Sequence, residues 1–127
     1  MIEHVSFNVS RADAQDCAGF YKLLGFAIVE PPAGLGERSI WLTRNGTSLH
    51  LMFRDREGVD IDRSPEPGAG HIALVVDKFD AIIGALTAAG TSVDPRSEYW
   101  GSPRAYVRDP AGNTVELMAF PPPVSVS

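Results

Sequence analysis

Short runs in which apolar and polar residues alternate fill most of this chain, and glycine, proline or asparagine closes nearly every run. "GTSLHLMF", from Gly46 to Phe53, is typical: its period of two predicts a strand with His50 on the same side as Ser48 and Met52. "HVSFNVS", "FAIVEPP", "RSIWLTR", "HIALVVD", "TSVDP", "RAYVRD" and "NTVELMAF" read the same way. Two stretches break the alternation. Arg11 to Leu24 and Lys78 to Ala89 carry apolar residues at helical spacing, and Gly25 and Gly90 follow them as helix-ending residues. Phe79, Ile82, Ile83 and Leu86 share one face of the second helix, and Cys17, Phe20, Leu23 and Leu24 are expected to do the same in the first.

The order of elements is strand, helix, three strands, and then the same again. The repetition reaches individual residues. A shift of 67 lays "HVSFNVS" on "HIALVVD", and a shift of 66 lays Gly46 on Gly112, Leu49 on Val115 and His50 on Glu116. The chain therefore reads as a single α+β domain of two βαβββ modules, residues 1–53 and 71–120. A connector rich in charge, proline and glycine, 54–70, joins them, and a tail, 121–127, reads as disordered. Asn45-Gly46 signals a tight hairpin turn, and Asp109-Pro-Ala-Gly112 makes the matching connection in the second module.

Composition narrows the possibilities. At 127 residues, 44% of them hydrophobic, the chain can bury a real interior. A net charge of −5 argues against nucleic acid or an anionic membrane as partner. The apolar runs are too short to cross a bilayer, and "MIEHVSFNV" reads as a strand from its start instead of as a signal segment. One cysteine, Cys17, allows no intrachain disulfide and suits a reducing cytoplasm; on its helix it reads as core.

Candidate chemistry follows from the repeat. All three histidines fall at repeat-equivalent strand positions, His4 and His50 in one module and His71 in the other, with Glu116 at the fourth. The spacings within the modules are nearly equal, 46 residues from His4 to His50 and 45 from His71 to Glu116. A lone histidine in an apolar strand is usually a hydrogen-bonded core residue, but this placement of all four favours a metal site. If the modules pack as pseudo-twofold mates, three imidazoles and one carboxylate converge. That donor set suits Fe, Mn, Zn, Ni or Co, whereas calcium and magnesium prefer oxygen. A buried Glu116 without a partner would cost several kcal/mol, so a cation or a histidine is expected beside it.

"EHVSFNV", "GHIALVV" and above all "YVRDPAGNTVELM" resemble the vicinal oxygen chelate superfamily. That group includes glyoxalase I, extradiol dioxygenases, fosfomycin-resistance enzymes, methylmalonyl-CoA epimerase and bleomycin-resistance proteins. The resemblance covers residues 2–120 and is most specific at Arg108 to Asn113 followed by Glu116. It implies an incomplete eight-stranded barrel around one divalent transition metal, commonly in a homodimer. His4, His71 and Glu116 match the recurrent ligand positions, and His50 matches a fourth that is often Glu or Gln in lyase-type and epimerase-type members.

Three functions are consistent with these residues. A lyase or isomerase on a small substrate with vicinal oxygens would use the metal as a Lewis acid, with Glu116 or His50 as base. Glu30 and Glu37 read as surface residues rather than outer bases, and His50 in place of a second carboxylate tells against a typical glyoxalase I. A ring-cleaving dioxygenase would use His4, His71 and Glu116 as a facial triad. The turn at 109–113 would pair Arg108 with Thr114 and Tyr106 with Glu116, setting the phenol beside the metal, yet no further histidine is left for the second shell. A drug-sequestering protein without catalysis would use an aromatic, acidic groove containing Trp41, Tyr99, Trp100 and Tyr106. Trp41, Trp100 and Arg104 are the candidate substrate contacts, and Arg108 reads as a surface pair.

Overall fold

Why the chain alternates between sheet and helix is visible in the computed structural model, which describes residues 2–54 and 70–125. The chain divides into two compact units, Met1–Asp62 and Arg63–Ser127. Apart from Arg54 and Gly70, the expected connector lies outside the described residues.

The first unit runs β1 (His4–Val9), α1 (Ala14–Leu23), β2 (Ala27–Val29), β3 (Ser39–Arg44) and β4 (Thr47–Phe53). Its sheet is open, with order β1-β4-β3-β2. β1 lies parallel to β4, while β2, β3 and β4 form an antiparallel meander. Asn45 and Gly46 both take positive φ, 49° and 81°, as the two-residue turn between β3 and β4 demands. The interior of the strands is apolar, with Leu42, Leu49 and Leu51 almost wholly buried.

α1 ends where Gly25 adopts φ 97°, a left-handed cap that a side chain would strain. Its buried face carries Cys17, Phe20, Tyr21 and Leu24. Leu23, expected on that face, is exposed instead. Positions 17, 20, 21 and 24 follow the i, i+3, i+4, i+7 stripe, and residue 23 points well away from it. Tyr21 is the core residue the pattern concealed: its ring lies edge-on to Phe20 and Phe26, at centroid distances of 5.0 and 5.9 Å. Cys17 is buried core, as expected.

The second unit repeats the plan with β5 (Ile72–Val75), α2 (Phe79–Ala88), β6 (Val93–Arg96), β7 (Arg104–Arg108) and β8 (Thr114–Met118). The sheet order is β5-β8-β7-β6, the same arrangement strand for strand. Leu86 is the buried anchor of α2, while Phe79, Ile82 and Ile83 are half-buried. The α+β class and the two βαβββ modules are therefore those the alternation implied. Residues 121–125 are exposed and carry no regular secondary structure. Among the described residues, no helix is long and apolar enough to cross a membrane.

Candidate functional site

Register decides what surrounds each candidate donor. In the first unit His50 sits mid-strand on β4, opposite Trp41 of β3 and Ser6 of β1. Cross-strand and diagonal neighbours on one face of a sheet lie within ring-stacking reach. The Trp41 ring covers one side of the His50 imidazole at 3.8 Å and 10°, and the His4 ring covers the other at 4.3 Å and 16°. His50 is consequently buried, and its Nε2 has no hydrogen-bond partner among the described residues. Burial holds its pKa below the ordinary histidine range; the His4 charge lowers it further, and Glu3 works in the opposite direction. The ring is thus kept neutral, the form that can donate to a metal. His4 is more exposed, and its Nδ1 lies 2.7 Å from a carboxylate oxygen of Glu3. That contact leaves Nε2 as the ring nitrogen able to take a further ligand.

The second unit pairs the other two candidates. β7 and β8 run in the register the sequence indicated, Arg108 opposite Thr114 and Tyr106 opposite Glu116. Glu116 is therefore the counterpart of His50, with Tyr106 where the first unit has Trp41. His71, just before β5, brings its Nε2 to 3.3 Å from Glu116 Oε2. The ring of His71 also stands edge-on to Tyr106, 5.0 Å between centroids. The other carboxylate oxygen, Oε1, accepts a 2.8 Å hydrogen bond from Arg104 Nε. Buried Glu116 thus has a histidine beside it, one of the two alternatives expected, and the Arg104 guanidinium as well.

The hairpin that sets this register is fastened by Asp109, which is wholly buried. Its Oδ1 accepts the backbone N–H groups of Ala111 and Asn113, and its Oδ2 accepts the Asn113 side-chain amide. Gly112 completes the turn with φ 90°. Trp100 donates from Nε1 to the Phe120 carbonyl, and the Arg104 guanidinium lies 5.2 Å from the centre of its ring.

The structure therefore brings His4 against His50 in one unit and His71 against Glu116 in the other. Among the described residues, no group of three or more His, Cys, Asp or Glu side chains is gathered as a metal-binding cluster. The donors fit a first-row divalent ion in type, and two observations bear on the fit. His50 Nε2 is a buried nitrogen lacking a partner. The His71 and Glu116 atoms, at 3.3 Å, are closer than the roughly 4.2 Å between trans ligands, so both can reach one ion. The bond from Arg104 to Glu116 escaped the sequence reading, although a signal for it exists. Arg104 stands opposite Met118, two residues beyond the Tyr106–Glu116 pair, which makes it the diagonal neighbour of Glu116 on the same face.

This arrangement of paired modules has known relatives. The family model for the Glyoxalase/Bleomycin resistance protein/Dioxygenase superfamily matches residues 2–117, and the chain belongs to that family. No curated protein matches the chain. Among solved structures, a glyoxalase/dioxygenase from Nostoc punctiforme is 25% identical with a TM-score of 0.74, and the match covers 96% of this chain and 92% of that one. A genomically encoded fosfomycin resistance protein from Listeria monocytogenes, solved with Mn(II) and a dihydroxypropylphosphonic acid, is 17% identical with a TM-score of 0.70; coverage is 94% and 89%. TnmS3, an antibiotic-binding protein from a Streptomyces species, is 24% identical with a TM-score of 0.65 and coverage of 93% of each chain.

Proposed function

We propose that this protein is a metal-dependent enzyme of its superfamily, acting on a small substrate with vicinal oxygens by lyase, isomerase or dioxygenase chemistry. His71 and Glu116 are the proposed metal donors of the second unit, and His4 and His50 are those of the first, with the ion a divalent one among Fe, Mn, Zn, Ni and Co. The observation that carries this reading is the His71 Nε2 to Glu116 Oε2 approach at 3.3 Å, matched at the repeat-equivalent strand by a buried His50 nitrogen without a partner among the described residues. A bound ion would supply Lewis acidity toward the substrate oxygens. Glu116 or His50 would accept the substrate proton, and Tyr106, cross-strand from Glu116, would donate a hydrogen bond. Trp41 and Trp100 offer ring faces to the substrate. Arg104 would contact it through Nη2 or the second Nη1 hydrogen, because Nε and one Nη1 hydrogen are held by Glu116 and the Ser97 carbonyl. The working form is a homodimer in the cytoplasm, and sedimentation of the purified protein tests the dimer.

Metal dependence is tested by elemental analysis of protein purified without a nickel column, followed by anaerobic reconstitution. The reconstituted protein is then assayed against glyoxals, catechols, acyl-CoA epimers and fosfomycin. Stoichiometric uptake with turnover of one class is expected. Sub-stoichiometric metal, with no tight uptake of any of the five ions, would reject the reading.

Drug sequestration is the second reading, favoured by the Trp41–His50–His4 stack and by the fold shared with an antibiotic-binding protein. Calorimetry of the metal-free protein with bleomycin-like and aromatic peptide drugs decides it. Tight binding without metal would favour sequestration over catalysis.

A further inference from the structure

We propose that Arg104 is a positioning residue that clamps Glu116 through Oε1 and leaves Oε2, beside His71, as the one carboxylate oxygen presented to a cation. This inference rests on the metal-centre reading above and assigns a role within it. Both side chains are largely withdrawn from water, with exposures of 11% for Arg104 and 10% for Glu116. The guanidinium is fixed by contacts that do not involve Glu116. Its Nη1 donates to the Ser97 carbonyl at 2.7 Å, and its Cζ lies over the rings of Trp100 and Tyr99, at 5.2 and 5.6 Å. Trp100 is itself tied to the Phe120 carbonyl. A guanidinium anchored on these sides dictates where its Nε–H points, so the arginine sets the carboxylate and not the reverse.

Two consequences follow. With Oε1 bonded to Nε, Glu116 meets an ion through a single oxygen, and its rotamer is chosen before the ion arrives. Groups that orient a ligating carboxylate typically strengthen metal binding by about 10–100-fold. A guanidinium so close to a cation also repels it, which works in the other direction. The clamp requires that orientation outweigh repulsion, and this fixes the sign of the test.

Arg104→Met and Arg104→Lys are compared with the full-length wild type by calorimetric titration with Zn(II) and with Mn(II), after thermal melts have established that each is folded. Arg104→Met is expected to bind about 10–100-fold more weakly. Arg104→Lys, which keeps the charge and most of the stem, should fall between the two. Affinity that is unchanged or tightened in Arg104→Met, or fully restored in Arg104→Lys, would overturn the clamp. Should Arg104→Met not fold, the lysine variant alone decides. A metal-free arm separates this inference from the metal reading itself. Crystal structures of metal-free wild type and Arg104→Lys should show Glu116 leaving its single rotamer and its contact with His71 in the variant. An unmoved Glu116 refutes the clamp even if the wild type takes up neither ion, a result that by itself would count against the metal centre.

Discussion

Glu116 and His50 occupy matching places in the two modules, yet their surroundings treat them in opposite ways. Glu116 is buried as half of two polar contacts, to His71 and Arg104, whereas His50 is buried between two ring faces with one nitrogen lacking a partner among the described residues. Removing a donor should therefore remove the ion: His71→Ala and Glu116→Gln are each expected to lose most bound metal on reconstitution, as read by elemental analysis. Retention of full metal by either variant would show that the ligand assignment is wrong.

His50 also gives a prediction for the metal-free protein. Its folded-state pKa is depressed below 6.5, the unfolded value, chiefly by burial. Between those two values the unfolded chain binds a proton that the native ring does not. Stability from this group is thus fully present above the unfolded value and is lost as pH falls through the folded one. His50→Gln should show a shallower fall in its denaturation midpoint than the wild type between about pH 7.5 and about pH 5. Parallel curves would mean that His50 is not held neutral.

At the scale of elements, the β7–β8 hairpin determines whether Tyr106, Arg104 and Glu116 share a face. A slip of one residue would turn Glu116 to the opposite side of the sheet. Asp109 prevents that slip by accepting three hydrogen bonds inside its own turn while fully buried. Asp109→Ala strands those donors and is expected to cost about 1–3 kcal/mol of unfolding free energy, measured in urea. It should also broaden the backbone amide signals of Thr114 to Met118. The sequence exposed this element well, because "RDPAGN" dictates the loop length and hence the pairing of Tyr106 with Glu116. It was less informative on α1, where Leu23, expected in the core, is exposed and Tyr21, not among the expected core residues, is buried. Both are apolar enough for the core, and only helix phase separates them.

At the scale of the whole molecule, the proposed ion would bind only the folded chain. Ligand that binds only the native state raises stability by mass action, about 2.7 kcal/mol when its concentration is a hundred times Kd. Adding Zn(II) or Mn(II) to metal-free protein should therefore raise the thermal midpoint in a concentration-dependent way, followed by calorimetric scanning. The rise should be absent in His71→Ala. A midpoint indifferent to metal would remove the centre from the account.

Internal repetition, strand alternation and turn residues determined the βαβββ modules, the hairpin registers and the positions of His4, His50, His71 and Glu116, because each depends on near neighbours along the chain. Tertiary structure alone decided which partner each donor keeps: His4 and Trp41 around His50, and Arg104 with His71 on Glu116. Those contacts join residues from separate strands, and their burial depends on side chains packed from elsewhere in the fold. A string of residue types does not specify how deep a side chain lies or which way a guanidinium points, and at this site those two properties set how the donors can act.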